Sequence, residues 1–237
     1  MIKLLVYGPS GHGKTASMRN LPAEKTGIIN CDRKSLPFAG WKNKYVTNLG
    51  SDGKVDFSTS NYVVTDRAAN VIKTLEEWEK RTDIEYIAID TFTHILSASF
   101  MRRILEKGFD KFSEMAKEGH DVIDAVQRST KKIVVFAHND VAFDANGNKV
   151  NKLRGFGKLL DEKIQIESKF QYVMIPTVQR SNDEVQYMFQ TQSDGTDLAK
   201  TPGYVQEDGS MKGLFDFFIP NDVKHIFDEI ENYELNG

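Results

Sequence analysis

The apolar run Ile2-Lys3-Leu4-Leu5-Val6-Tyr7 leads without a break into Gly8-Pro9-Ser10-Gly11-His12-Gly13-Lys14-Thr15. A strand feeding directly into G-x-x-x-x-G-K-T constrains the fold more than any other feature, because a phosphate-binding P-loop needs that order. The strand anchors the loop, the glycines let backbone N–H groups turn inward around phosphate oxygens, and the lysine meets the β/γ oxygens. Thr15 offers a hydroxyl suited to Mg²⁺, and residues 16–20 read as the first turns of a helix whose N-terminal dipole adds to the anion site. The expected nucleotide-binding set is Gly8, Pro9, Ser10, Gly11, His12, Gly13, Lys14, Thr15 and Ala16, with ATP and Mg²⁺ as ligands.

The rest of the chain must build a core around that loop. With 237 residues, 40% of them hydrophobic, it can bury one large domain. We expect a nucleotide-binding core over 1–140, followed over 141–237 by a DNA loop, antiparallel strands and a C-terminal helix. A net charge of −3 argues against coating nucleic acid with the whole surface, so contact would come from a local basic patch. The single cysteine, Cys31, excludes an internal disulfide, suits a reducing cytosol and reads as a buried small hydrophobe. The start of the sequence goes straight into the P-loop strand without a leader pattern, and no apolar run has the length of a membrane span. The expectation is a cytoplasmic protein with no membrane partner.

Apolar strand-like runs alternate with longer helical patterns, the signature of a parallel sheet with crossover helices. The pattern predicts strands over 3–7, 27–31, 85–89 and 132–137. It predicts helices capped by Asp66 and running to about Lys80, over 92–106 and over 112–129. Residues 35–61, with Pro37, Gly40, Gly50 and Gly53, read as an irregular polar connection. Beyond 137 the pattern changes to a turn at 145–148, an antiparallel pair over 171–178 and 184–190, and an amphipathic helix over 221–231.

Tyr86-Ile87-Ala88-Ile89-Asp90-Thr91 is an apolar strand that ends in a carboxylate, where a P-loop fold holds Mg²⁺. Asp90 is the Walker B candidate, and a strand-end Asp also suits a helix cap. The run from Asp90 through Thr91-Phe92-Thr93-His94 resembles the RecA-like family, in which a small hydroxyl residue and an apolar helix start follow that Asp. The resemblance implies a RecA-like α/β P-loop core, mainly parallel, with a C-terminal antiparallel extension. It also implies that the water-activating carboxylate is Asp32, which ends Ile28-Ile29-Asn30-Cys31-Asp32 where the family usually has Glu. At the end of Ile133-Val134-Val135-Phe136-Ala137 it implies His138 as γ-phosphate sensor, with Asn139 second.

The segment after the sensor strand concentrates cations around an aromatic: Lys149, Lys152, Arg154, Phe156 and Lys158, with Gly155 and Gly157. Cations follow a phosphate backbone while an aromatic stacks on a base, so this is the single-stranded DNA candidate, with Gly108-Phe109-Asp110-Lys111 as a second loop. In RecA-like recombinases the mobile DNA loop has the same place in the chain. Over 1–203 the sequence also resembles phage-encoded proteins of RecA type, including core-only single-strand annealing proteins with a Lys in an Ala-Lys-polar context. Lys200 matches that context, and the resemblance implies that it enters a neighbouring subunit's ATP site within a ring or filament. The implied function is a DNA-stimulated ATPase of phage-type recombination or annealing, with single-stranded DNA, further copies of itself and a single-strand DNA-binding protein as partners. Two other classes share the P-loop: a small-molecule or nucleotide kinase, for which no Arg-rich lid is evident, and a non-catalytic nucleotide-binding regulator.

Overall fold

The computed structural model describes residues 1–143, 147–154, 166–181 and 184–236. Eight strands form its central sheet. In chain order they are β1 (Lys3–Tyr7), β2 (Thr26–Asn30), β3 (Tyr62–Val64), β4 (Tyr86–Asp90), β5 (Lys132–Ala137), β8 (Tyr172–Ser181), β9 (Glu184–Gln190) and β12 (Phe218–Pro220). In space the order is β12-β9-β8-β1-β5-β4-β2-β3. The six strands from β8 to β3 pair in parallel, while β9 and β12 add antiparallel to the β8 edge. This is the architecture that the RecA-like resemblance implies, mainly parallel with an antiparallel C-terminal extension.

The four strands β1, β2, β4 and β5 are buried nearly throughout, so their side chains read as continuous apolar runs rather than alternating ones. Leu5 and Tyr7 face one core with α1 (Ala68–Glu79), α2 (Phe92–Arg102) and α3 (Asp110–Arg128); Leu4 and Val6 face the other with α4 (Val223–Asn236). Residue size sets how close the layers come. Trp78 of α1 packs directly against Gly27 of β2, where an added Cβ would sit 2.4 Å from the indole ring, and its Nε1 donates to the Ser60 carbonyl at 3.0 Å. Gly119 plays the same part between α3 and Leu96 of α2.

Several expectations need correction. Residues 16–20 do not open an α-helix: a four-residue 3-10 turn, Thr15–Met18, follows the P-loop, and β2 begins at Thr26. Pro22 bars any longer helix there, because a proline disfavours helical geometry at the residue before it and cannot donate within a helix. Asp66 does not cap α1; Arg67 holds that position, and the Asp66 carboxylate instead pairs with Arg33 and Arg102. The second helix stops at Arg102 rather than 106. The irregular connection over 35–61 holds a 3-10 turn at Trp41–Asn43 and a bridge between Leu49 and Val55.

The basic segment is not a simple loop. Lys149–Leu153 forms β7, paired antiparallel with β6 (Asn139–Phe143) in a two-stranded ribbon that departs directly from the end of β5. A second small ribbon joins β10 (Gly203–Val205) to β11 (Met211–Gly213).

Candidate nucleotide-binding site

The parallel strands deliver their functional residues to one edge of the sheet, the carboxyl edge, which is where ligands bind in open α/β folds. The P-loop leaves β1 after Tyr7, and the Gly8 N–H donates to the Ala137 carbonyl at 3.2 Å, so the loop crosses the end of β5. β5 lies between β1 and β4, and Thr15 closes the gap: its hydroxyl donates to Asp90 Oδ2 at 2.7 Å. Gly11 and Gly13 hold φ of +81° and +83°, a region that favours glycine, and this permits the inward turn of the loop.

Lys14 is buried and folds back on the loop, donating to the Gly8 carbonyl at 2.7 Å and to the Pro9 carbonyl at 2.8 Å. Burial lowers its pKa to about 8, against the opposing pull of Asp90. Asp90 is only 4% exposed, and burial raises its carboxyl to about 6 despite the Thr15 hydrogen bond. Its Oδ1 has no hydrogen-bond partner, and neither has the buried Thr91 hydroxyl. The Asp90–Thr91 peptide is cis. An orphaned carboxylate oxygen beside a threonine hydroxyl, under a glycine-rich loop, fits a divalent cation bound together with phosphate. Among the described residues no group of three or more His, Cys, Asp or Glu could hold a metal alone, so phosphate and water would complete the shell.

Asp32 lies two residues beyond β2, at the same edge. Its Oδ1 accepts from the Lys34 N–H at 3.1 Å and its Oδ2 pairs with Lys34 Nζ at 2.9 Å, a contact that the sequence reading did not anticipate. His138 directly follows β5, half-buried. Its N–H donates to Thr93 Oγ1 at 3.2 Å and its carbonyl accepts from the Arg154 N–H at 2.8 Å, so it stands between α2 and the ribbon. Burial, with the charges of Lys14, Arg154 and Lys34, lowers its pKa to about 4, so its imidazole is neutral at pH 7.

The structure thus brings Gly8 to Ala16, Asp32, Asp90 and His138 to one edge and sets Lys200 apart. Lys200 is exposed and bridges Val173, which lies opposite Leu5 in the middle of β1. In the ribbon, Asp140 opposes Lys152, and its carboxylate also holds Arg154 Nε at 2.9 Å. Phe143, 66% exposed, faces Lys149 across the ladder. Phe156 and Lys158 lie outside the described residues. In the second candidate loop, Lys111 donates to the Glu106 carbonyl at 2.6 Å and lies over the Phe112 ring. His12 Nδ1 lies 3.2 Å from the Pro176 carbonyl of β8, within hydrogen-bond reach.

A model of the AAA domain family matches residues 1–204. The chain belongs to the AAA domain family. No curated protein matches it. Among solved structures, this AAA domain is similar to a KaiC-like protein, PH0186, from the hyperthermophilic archaeon Pyrococcus horikoshii OT3, with 12% identity and a TM-score of 0.47 over 89% of this chain and 83% of that one. It is also similar to the flagellar accessory protein FlaH of Methanocaldococcus jannaschii, with 9% identity and a TM-score of 0.43 over 89% of each chain. Among the described residues, no helix of the AAA domain is long and apolar enough to cross a membrane.

Proposed function

We propose that the protein binds Mg-ATP in the loop from Gly8 to Ala16, hydrolyses it, and uses the γ-phosphate to set the hold of the β6–β7 ribbon on single-stranded DNA in recombination or annealing. The observation that carries the nucleotide reading is the Thr15–Asp90 hydrogen bond beneath the loop, with Asp90 Oδ1 left unpaired. Lys14 exchanges the Gly8 and Pro9 carbonyls for phosphate oxygens. Thr15 and Asp90 are the residues that would hold Mg²⁺, which when bound neutralises charge developing between the β- and γ-phosphates.

Asp32 accepts the proton of the attacking water as its oxygen bonds to the γ-phosphorus and the bond to the β-phosphate oxygen breaks. His138, neutral at pH 7, faces the γ-phosphate. Because its carbonyl holds Arg154 and the chain passes directly from it into β6, a shift of His138 moves both ends of the ribbon. Lys152 and Lys149 follow the phosphate backbone of the strand. Lys200, exposed and away from its own loop, serves the site of a neighbouring copy in a ring or filament.

The test is ATP turnover with and without single-stranded oligonucleotide. Stimulation supports the reading, and phosphate transfer to a small acceptor replaces it with a kinase. The Lys34–Asp32 ion pair favours a second reading, a nucleotide-binding regulator whose base is withheld from water. Tight ATP binding with no turnover in either condition selects it.

A further inference from the structure

The antiparallel extension does more than lengthen the sheet. β9 carries Tyr187 over the P-loop, so that a Cβ added to Gly13 would sit 2.9 Å from Tyr187 Cδ1. The same point lies 3.3 Å from Oδ1 of Asn221, the residue that follows β12. Asn221 is 3% exposed, yet neither its amide oxygen nor its amide nitrogen has a partner. Its main chain is fixed: the N–H donates to the Tyr187 carbonyl at 3.2 Å, and the carbonyl accepts from Arg19, in the turn after the P-loop, at 2.7 Å. A fully buried amide with both ends unsatisfied is costly and calls for a partner. Tyr187, by contrast, is 45% exposed and leaves part of its ring open beside the loop that holds the phosphates.

We infer that Tyr187 and Asn221 form the nucleobase half of the site, and that the base they take is adenine. This rests on the reading of Gly8 to Ala16 as the triphosphate site. An aromatic ring beside the phosphates gives a planar base a stacking surface. An asparagine amide offers one acceptor and one donor side by side, the pattern that pairs in two places with the N6 amino group and a ring nitrogen of adenine. Entry of the base turns the Tyr187 ring aside and brings that edge to the Asn221 amide. The extension thereby reads the base while the parallel half of the sheet reads the phosphates.

Titration of the full chain with ATP, GTP and inorganic tripolyphosphate, each with Mg²⁺, separates the two halves. The wild type should bind ATP more tightly than GTP and at least about tenfold more tightly than tripolyphosphate. Tyr187→Ala should lose about tenfold in ATP affinity and leave tripolyphosphate unchanged, whereas Tyr187→Phe should behave as wild type. Asn221→Asp, nearly the same shape with the donor removed, should weaken ATP and shift the preference toward GTP, because a carboxylate cannot donate to an adenine ring nitrogen. The inference is overturned if Tyr187→Ala weakens ATP and tripolyphosphate equally, because the ring then only supports the loop. It is also overturned if the wild type binds all three alike, a result that spares the P-loop. Binding of none of the three refutes the triphosphate reading itself and this inference with it.

Discussion

Two regions that are built in opposite ways meet at the end of β5. At its carboxyl end, Lys14, Thr15 and Asp90 are buried or half-buried and already bonded to one another or to the loop. One residue further on, the β6–β7 ribbon leaves the sheet, its residues are half-buried or exposed, and Val141 and Phe143 stand in solvent. The first region is fixed by the interior, since the sheet dictates where each strand ends and burial dictates which groups must pair. The second has two strands and no core of its own, which is marginal in water without a partner. A buried, internally bonded edge thus adjoins an exposed element whose shape depends on what it meets, and His138 touches both.

The largest effect should fall on chemistry at the buried edge. Asp32→Asn keeps the shape of the side chain but cannot accept a proton, so turnover should fall by about 10²–10⁴-fold with ATP affinity unchanged. Steady-state hydrolysis set beside equilibrium binding checks this, and unchanged turnover moves the base elsewhere. Lys14→Ala should come next. Loss of charge-assisted hydrogen bonds worth about 1.5–3 kcal/mol each should weaken ATP by about 10²-fold, without altering the ribbon. A variant with wild-type affinity would break the claim that the edge is a phosphate site.

Asp90 exposes the cost of building that edge inside the protein. Its carboxyl titrates near 6 when folded, mainly because of burial, and near 3.9 when unfolded. Between those values the folded state binds more protons than the unfolded one, so stability falls as pH rises through the window, and the full penalty is present above about 6. That penalty amounts to about 3 kcal/mol. Asp90→Asn should therefore stabilise the nucleotide-free protein at pH 7 by about 2–3 kcal/mol, and the advantage should vanish as the pH approaches 4. Denaturant unfolding at both pH values measures it. A variant less stable than wild type at pH 7 would mean that the carboxylate is already compensated there.

The sequence discloses the first region far better than the second, for physical reasons. Short uninterrupted apolar runs such as Leu4-Leu5-Val6-Tyr7 and Ile87-Ala88-Ile89, bounded by turn residues, suit buried strands, and a glycine-rich loop or a carboxylate at their ends is local information. The Thr15–Met18 turn departs from the helical reading, and Pro22, seven residues after Thr15, leaves no room for a longer helix. β3 and β12, of three residues each, exist through pairing with β2 and β9 rather than through their own pattern. The approach of Tyr187 and Asn221 to Gly13 depends on where the folded chain returns, and no local spacing encodes it; the Lys34–Asp32 pair is a local turn contact, two residues apart, that an Asp two places before a Lys already permits. In the ribbon the lysines were visible in the sequence. Their acidic neighbour Asp140 came into play only when β6 paired with β7.

That neighbour gives the smallest but sharpest test of the contrast between the regions. Lys152 and Arg154 were equivalent cations in the sequence, yet Arg154 is held by Asp140 in an ion pair whose partners are about half-exposed, a contact worth about 0–1 kcal/mol to the fold. If the ribbon binds single-stranded DNA, Lys152→Ala should flatten the log–log salt dependence of affinity by about 0.7, the value for one phosphate contact, and leave ATP binding intact. Arg154→Ala should do less, because its charge is already partly neutralised. Asp140→Asn should act in the opposite direction: it releases Arg154, removes a repelling charge, and should tighten binding with a steeper slope. Labelled oligonucleotide titrations at several salt concentrations distinguish the three variants. If Asp140→Asn weakens binding, the ion pair shapes the ribbon for its partner. If all three bind as wild type does, the ribbon is solvated surface and the DNA reading must move to another face.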